Sequence, residues 1–150
     1  MLKEGDRAPR IQLQTDAGEP FDLDALRGKK VILFFYPKAS TPGCTVEACE
    51  FRDTFKKFEK KGAVVLGISK DTPKAQTTFK TNQGLPYTLL CDVDKTVVAA
   101  YGVWKEKNMY GKKVMGIERT TFIIDEQGKI QKIFSKVKPA GHAGEVLAAL

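Results

Sequence analysis

The stretch "VILFFYPKASTPGCTVEACEF", residues 31 to 51, joins an apolar run to two cysteines five positions apart. The run "VILFFY" has the composition of a strand that is covered on both faces of a sheet. Thr41 is a good N-cap residue, Pro42 suits the first helical position, and Cys44 then falls at the third. The stretch therefore predicts a strand, a turn and a helix whose first turn carries a thiol.

The rest of the chain alternates between segments typical of strands and of helices. Further apolar runs of strand length cover residues 63 to 69, 88 to 91, 120 to 125 and 129 to 135. Helical patterns cover residues 43 to 61, 72 to 82, 94 to 101 and 141 to 150. Because three strands are nearly all apolar, helices should cover both faces of the sheet. The turn "DEQG" predicts an antiparallel edge, and "IQLQ" and "FDL" predict an N-terminal β-hairpin. The fold class is α/β, with a central mixed sheet.

Length and composition limit the class of protein. A chain of 150 residues, 42% of them hydrophobic, can form one domain with its own core over residues 1–150. Three cysteines are too few for a disulfide framework, and "MLKEGDRAPR" lacks the apolar run of a signal peptide. The apolar run "VILFFY" is far shorter than the roughly 20 residues of a membrane helix. We expect a cytoplasmic protein in a reducing compartment, with no membrane partner.

The net charge of +7 raises the question of nucleic acid binding. The 25 lysines and arginines are scattered, and short basic runs such as "KKFEKK" are interrupted by acidic and aromatic residues. This pattern favours solvated helix faces over a basic patch. We expect no nucleic acid partner, and a binding module for DNA remains an alternative that rests on charge alone.

The two cysteines of the first helix should face different sides. Rotation by about 100° per residue places Cys44 within about 20° of Phe51 and Cys49 about 160° from it. Because Phe51 belongs to an apolar stripe, Cys44 should face the sheet and Cys49 should face solvent beside Asp53. First-turn amides lack intrahelical partners and favour a thiolate at Cys44. Cys44 is a candidate nucleophile, and the alternative is a small residue that only fills the core.

The segment "YPKASTPGCTVEACEFRD" resembles the active site of the peroxiredoxins. That family has a proline, a threonine or serine four residues on, and the peroxidatic cysteine three after that, which match Pro37, Thr41 and Cys44. The spacing in "GCTVEAC" is similar to the bacterioferritin comigratory protein or peroxiredoxin Q subfamily. The likeness extends to "GDRAP", "LGIS", "YGVW" and "ERTTFIID", and so covers nearly the whole chain. It implies a single domain with the thioredoxin fold of the peroxiredoxin type.

The resemblance also implies a mechanism in which the Cys44 thiolate attacks a hydroperoxide and becomes a sulfenic acid. The Thr41 hydroxyl and the amides of Gly43 and Cys44 would bind the reacting atoms, and Pro37 would shield the pocket from water. The family's active-site arginine matches Arg119, whose guanidinium can donate to sulfur and to peroxide oxygen. Glu47, about 60° from Cys44 around the helix, could orient Arg119, or could be an exposed acid favoured by the helix dipole.

By the same resemblance, Cys49 is the resolving cysteine. It would form an intramolecular disulfide with Cys44, which thioredoxin or a similar dithiol protein would reduce. The cycle would need no metal, haem or flavin cofactor, and we expect a monomer. Cys91 lies where a serine or similar small residue is expected, and a buried packing role is favoured for it, with a redox role left open.

Two other chemistries compete for these cysteines. A zinc site could use Cys44, Cys49, Cys91 and His142, but their spacings fit no common zinc module. A dithiol oxidoreductase acting on protein disulfides is the second alternative, although its motif is C-x-x-C and the spacing here is C-x-x-x-x-C. His142, the only histidine, suggests no pairing of the cysteine protease type.

Overall fold

The computed structural model describes residues 2–150 of the chain. The strands of this part are β1 (Gln12–Thr15), β2 (Pro20–Asp22), β3 (Lys30–Phe35), β4 (Ala63–Ser69), β5 (Thr88–Cys91), β6 (Trp104–Met109), β7 (Lys112–Ile117), β8 (Thr120–Ile124) and β9 (Ile130–Phe134). Its α-helices are α1 (Pro42–Asp53), α2 (Phe55–Lys60), α3 (Pro73–Gln83), α4 (Thr96–Ala100) and α5 (His142–Ala148). A short 3-10 helix, Leu23–Leu26, follows β2.

Seven strands form one mixed sheet in the order β2-β1-β5-β4-β3-β8-β9. The central strands β3, β4 and β5 are parallel, and the remaining pairs are antiparallel. The predicted α/β class, the antiparallel edge and the N-terminal hairpin β1–β2 are confirmed. The parallel strands β3 and β4 end at the same edge of the sheet, and the segment that carries both cysteines begins there.

Helices cover both faces of this sheet, as the apolar strands predicted. One core contains Cys44 and Phe51 of α1, together with apolar side chains of α2, α3 and α5. The core on the opposite face contains side chains of α4 and of the 3-10 helix. Strand β3 contributes alternately to both, since Phe34 belongs to the first core and Phe35 to the second.

The single helix predicted over residues 43 to 61 is wrong, because the chain forms α1 and α2 with a break at Thr54. Thr54 has φ −104° and ψ 5°, and its hydroxyl donates to the Glu50 carbonyl at 2.7 Å. This side-chain bond uses an acceptor of the helix and permits a bend. The apolar stripe continues across the break, since Phe51 and Phe58 are both buried.

The hairpin of β6 and β7 was not predicted. Its sequence, "WKEKNMYGKKVMGI", lacks the alternating apolar pattern of a strand on a core, and most of β7 is exposed. The two strands pair with each other as a separate two-stranded sheet. The sequence feature that could have indicated the hairpin is the glycine of its turn. In the structure, the turn residues Tyr110 and Gly111 have φ values of 54° and 79°. Two adjacent residues with positive φ form the turn that suits a two-residue hairpin.

No helix within residues 2–150 is long and apolar enough to cross a membrane.

Candidate active site

Cys44 is the third residue of α1, and its position follows from the local sequence. The helix begins at Pro42, with Thr41 as the N-cap in extended conformation. The side chain of Cys44 is 1% exposed and packs in the core beneath α1, as the helical rotation predicted. A thiol in this place is held by the core and faces the edge of the sheet where β3 ends.

Arg119 contacts the thiol of Cys44 from a different part of the chain. It directly precedes β8, which pairs with β3, the strand that leads to Cys44. The Arg119 Nη2 atom donates to Cys44 Sγ at 3.5 Å. Only 15% of the Arg119 side chain is exposed, so water screens the charge of the guanidinium only weakly at this contact.

Glu47 is fully buried and not the exposed acid that the sequence left as an alternative. Its Oε1 atom accepts from Arg119 Nη1 at 2.8 Å, one helical turn beyond Cys44. Burial raises the pKa of Glu47 to about 7, although the nearby guanidinium favours the carboxylate. Within residues 2–150, its second oxygen, Oε2, has no hydrogen-bond partner. The ion pair with Arg119 therefore strengthens as pH rises through the neutral range.

Gly43 makes room for the guanidinium. A β-carbon on this residue would lie 3.2 Å from Arg119 Nη2 and 3.6 Å from Pro139 Cγ. Such a contact is tighter than ordinary packing, so a side chain at position 43 would displace the arginine. The sequence predicted a role for the Gly43 amide, but not this close approach to Arg119.

Thr41 and Pro37 lie in the loop between β3 and α1. Thr41 occupies the N-cap position, but its side chain makes no capping bond, and the hydroxyl donates to the Lys38 carbonyl at 2.8 Å. The prediction that Thr41 is the N-cap residue is confirmed, although its hydroxyl does not bond to the helix. With its proton used in this way, the oxygen can still accept a bond from a ligand. Pro37 is half-buried, directly after the buried Tyr36.

Cys49 does not face solvent as the sequence predicted. It is half-buried, and its Sγ donates to Gln83 Oε1 at 3.5 Å. Rotation around α1 could not show this, because the covering residue comes from the end of α3. Cys49 thus lies on a different side of α1 from the Arg119 guanidinium.

Cys91, the last residue of β5, is 5% exposed. Burial raises the pKa of this thiol to about 12, with smaller effects of Asp16 and Asp71. A thiol in this environment is a poor nucleophile, which agrees with a packing role. Cys44, Cys49 and Cys91 are all free thiols.

Comparison with known proteins identifies the family. The family model described as "AhpC/TSA family" matches residues 4–133. The chain belongs to the AhpC/TSA family. The putative peroxiredoxin bcp of Coxiella burnetii is 56% identical over 149 residues, which are 99% of each chain. The peroxiredoxin Bcp of Bacillus subtilis is 44% identical over 149 residues, 99% of this chain and 95% of the relative.

Solved structures agree with this membership. The bacterioferritin comigratory protein of Xanthomonas campestris superposes with a TM-score of 0.88 at 43% identity, over 93% of this chain and 88% of that one. A PrxQ mutant of Xylella fastidiosa superposes with a TM-score of 0.94 at 35% identity, over 99% and 95%. The chain is thus a peroxiredoxin of the Bcp or PrxQ subfamily with a thioredoxin-like fold, and a thiol peroxidase.

The active-site loop of this peroxiredoxin is held by a buried polar network that the sequence analysis missed. Asp71 Oδ2 accepts from the Ala39 amide at 2.7 Å and from Ser69 Oγ at 2.6 Å. Gln76 donates to Ser69 Oγ at 2.9 Å and accepts from the Tyr36 hydroxyl at 2.6 Å. A signal was present, because polar residues that follow neighbouring parallel strands meet at one edge of the sheet. The network fixes Tyr36 and Ala39 in the loop that leads to Thr41.

His142 begins α5, and its side chain is buried and used in packing and hydrogen bonds. Its Nε2 is 2.7 Å from Thr121 Oγ1, and its Nδ1 is 3.1 Å from Glu145 Oε1. The ring packs edge-on against Phe51 and Phe134. Across residues 2–150 there is no group of three or more histidine, cysteine or acidic side chains that could hold a metal ion. The zinc site considered from the sequence therefore has no geometric support.

Proposed function

We propose that this peroxiredoxin reduces hydrogen peroxide and organic hydroperoxides through a sulfenic acid on Cys44 and an intramolecular Cys44–Cys49 disulfide. A thioredoxin-like dithiol protein then reduces the disulfide. The observation that carries this proposal is the contact of Arg119 with both Cys44 Sγ and Glu47 Oε1. The Xanthomonas campestris relative is described as having alkyl peroxide reduction activity, which supports organic hydroperoxides as substrates.

In the first step the Cys44 thiolate attacks the distal oxygen of the hydroperoxide. The S–O bond forms as the O–O bond breaks, and the departing alkoxide or hydroxide takes a proton to leave as alcohol or water, respectively. Negative charge moves from sulfur to the leaving oxygen during this step. Arg119, already in contact with Sγ, is placed to follow that charge, and the Gly43 and Cys44 amides point out of the helix start. Thr41 would accept a bond from the peroxide hydroxyl, and Pro37 would exclude water.

In the second step Cys49 attacks the sulfenic sulfur of Cys44, the S–S bond forms, and hydroxide leaves as water. Two electrons from a dithiol protein then restore both thiols. No metal, haem or flavin takes part in this scheme. Because both cysteines and Arg119 come from one chain, the cycle can run in a monomer.

The alternative, a dithiol oxidoreductase acting on protein disulfides, fits the geometry poorly. Its nucleophile must reach a disulfide on the surface of another protein, whereas Cys44 is 1% exposed and covered by Arg119. A small peroxide can enter where a protein cannot. The comparison of peroxide with a disulfide-bonded protein as oxidant, under the same conditions, separates the two activities.

Arg119→Ala should slow the reaction with peroxide by on the order of a hundredfold, as for other lost donors to a developing oxyanion. The substitution leaves a buried Glu47 without its ion-pair partner and removes the donor to Sγ. Stopped-flow kinetics of the reduced protein give the second-order rate constant. Arg119→Lys, which keeps the charge but not the two-pronged geometry, should fall between parent and alanine. An unchanged rate constant in Arg119→Ala would remove this residue from the site.

Cys49→Ser should keep one oxidation event on Cys44 but lose efficient recycling, and it should overoxidise more readily. Cys91→Ser is the matched control, because it removes a buried thiol at the end of β5 that the proposed cycle does not use. It should behave like the parent in a reductase-coupled peroxide assay. Mass mapping of the oxidised parent decides between the partners, and a Cys44 to Cys91 bridge would overturn the assignment of Cys49.

A further inference from the structure

Lys107 lies on the mostly exposed hairpin of β6 and β7 but is not itself exposed. Its neighbours Glu106 and Asn108 are exposed on β6, as are most residues of β7. Lys107 is half-buried instead, and its ammonium group donates to the main-chain carbonyl of Ile117. A lysine normally keeps its charge in water, so a side chain folded back against its own hairpin calls for a reason.

The backbone of β7 is shaped to receive this side chain. Lys107 is opposite Val114 in the register of the hairpin, and its side chain extends past Gly116 toward the end of β7. A β-carbon on Gly116 would lie 3.3 Å from Lys107 Cδ and 3.5 Å from Cε. The absence of a side chain at position 116 therefore lets the lysine lie against the strand.

The carbonyl that Lys107 binds lies two residues before Arg119. Between them, the Glu118 amide donates to the Val103 carbonyl at 2.8 Å. The Glu118 carboxylate forms a 2.9 Å ion pair with Lys105, the other lysine of β6. Lys107 is thus part of a set of contacts by which the hairpin holds the segment that leads into Arg119.

Burial and neighbouring charges also affect the pKa of Lys107. Burial lowers the pKa of Lys107, the Arg119 guanidinium and, more weakly, Lys70 lower it further, and Cys44 and Glu118 act in the opposite direction.

We infer that Lys107 is a positioning residue for peroxide reduction, which fixes the segment before Arg119 and so holds the guanidinium against Cys44. This inference rests on the proposed role of Cys44 as the nucleophile. The bond to Ile117 sets where Arg119 lies, and Arg119 Nη2 is the donor to Cys44 Sγ, so the effect of Lys107 on the sulfur passes through Arg119. The hairpin is therefore an arm of the active site as well as a surface element.

The test uses the charge-removing variant Lys107→Met, the charge-keeping variant Lys107→Arg, and the control Lys112→Met. Lys112 is an exposed lysine at the opposite end of β7 from Ile117, so its replacement removes the same charge without removing the bond to Ile117. The first measurement is the rate constant with hydrogen peroxide. The second is alkylation of Cys44 by iodoacetamide against pH, in a background with Cys49→Ser and Cys91→Ser. The charged and titratable groups around Cys44 include Arg119, which contacts its sulfur, Glu47, which pairs with Arg119, and Tyr36 of the same core.

Lys107→Met should react with peroxide about tenfold more slowly, a smaller loss than removal of Arg119 itself, because Arg119 remains but is no longer held in place. Its alkylation midpoint should also move to higher pH. Lys107→Arg should recover most of both properties, and Lys112→Met should match the parent. A slower peroxide reaction with an unchanged alkylation midpoint, or parent values for Lys107→Met, overturns the inference. Alkylation does not depend on peroxidase activity, so failure of the proposed function would be recognised separately, as activity retained in Cys44→Ser.

Discussion

Cys44→Ser should abolish peroxide reduction while the protein stays folded. The hydroxyl of serine is nearly the same shape as the thiol, so the buried position in the core beneath α1 can accept it. Serine has no accessible anionic form near neutral pH, however, and a hydroxyl beside Arg119 cannot take oxygen from a peroxide as a thiolate does. The loss should be complete within the sensitivity of a coupled assay.

The matched control is Cys91→Ser, a replacement of another buried thiol by the same residue. Both variants should give the parental circular dichroism spectrum, and only Cys44→Ser should lose turnover. The measurement is peroxide consumption with a dithiol reductant, followed by mass mapping of oxidised thiols. Turnover near the parental level in Cys44→Ser would mean that another residue is the nucleophile.

The fold could be predicted from the sequence where strands are buried on both faces. The runs that became β3, β4 and β8 are nearly all apolar, and the burial of both faces follows directly from that composition. The hairpin β6–β7 could not be found in this way, because it pairs with itself and little of it is buried. Apolar periodicity indicates which residues contact a core, and this hairpin makes little contact with a core.

The active site was predictable to the extent that it depends on one helix. Rotation around α1 places Cys44 inward and Glu47 near it, and the structure agrees. The same reasoning failed for Cys49, because Gln83 at the end of α3 covers it. Lys107 was missed for a similar reason, since its contact with Ile117 depends on a hairpin that the sequence did not reveal. Contacts between elements that are far apart in the sequence can be predicted only when the fold is known, because a local sequence pattern does not show them.

The structure also explains why the first turns of α1 are weakly held. Gly43 costs about 1 kcal/mol relative to alanine in a helix, and the β-branched Thr45 and Val46 are poor helix formers as well. Thr41 makes no side-chain cap, and the Thr45 hydroxyl donates to the Thr41 carbonyl at 2.8 Å, a bond that competes with the helix backbone. These turns therefore persist because of what they pack against.

One buried group favours the separation of these turns from the core. Glu47 is buried with an oxygen that has no partner within residues 2–150, and leaving the core would hydrate it. The end of α1 is held more firmly, because both oxygens of Glu50 accept from the Gly141 amide at 2.8 and 3.1 Å. Phe51 stacks on Phe34 with ring centroids 4.6 Å apart. Glu50 and Phe51 are where unfolding of the helix from its N-terminus should stop.

Oxidation of Cys44 and Cys49 to a disulfide should unfold α1 from about Thr41 to Cys49. In a regular helix, Cα atoms five residues apart are about 8.6 Å apart, from a rise of about 7.5 Å and a lateral offset of about 4.3 Å. A disulfide tolerates roughly 7 Å at most. The two side chains also point about 140° apart around the axis. The reduced helix therefore cannot hold the bond, and forming it requires the weak first turns to separate from the core, which exposes the disulfide to its reductant.

Amide hydrogen exchange on the reduced and oxidised protein measures this directly. Residues 43 to 49 should lose most of their protection on oxidation, whereas Phe51 and the strand β3 should keep theirs, because their packing does not depend on the first turns. Cys49→Ser treated with one equivalent of peroxide is the control, since it can form the sulfenic acid without the disulfide and should keep the helix. Because the first turns contain weak helix formers, the cost of unfolding them should be no more than a few kcal/mol, which disulfide formation can supply. Equal protection of residues 43 to 49 in both forms, with the Cys44–Cys49 bond verified by mass mapping, would show that the bond forms without unfolding and that this account of the cysteine spacing is wrong.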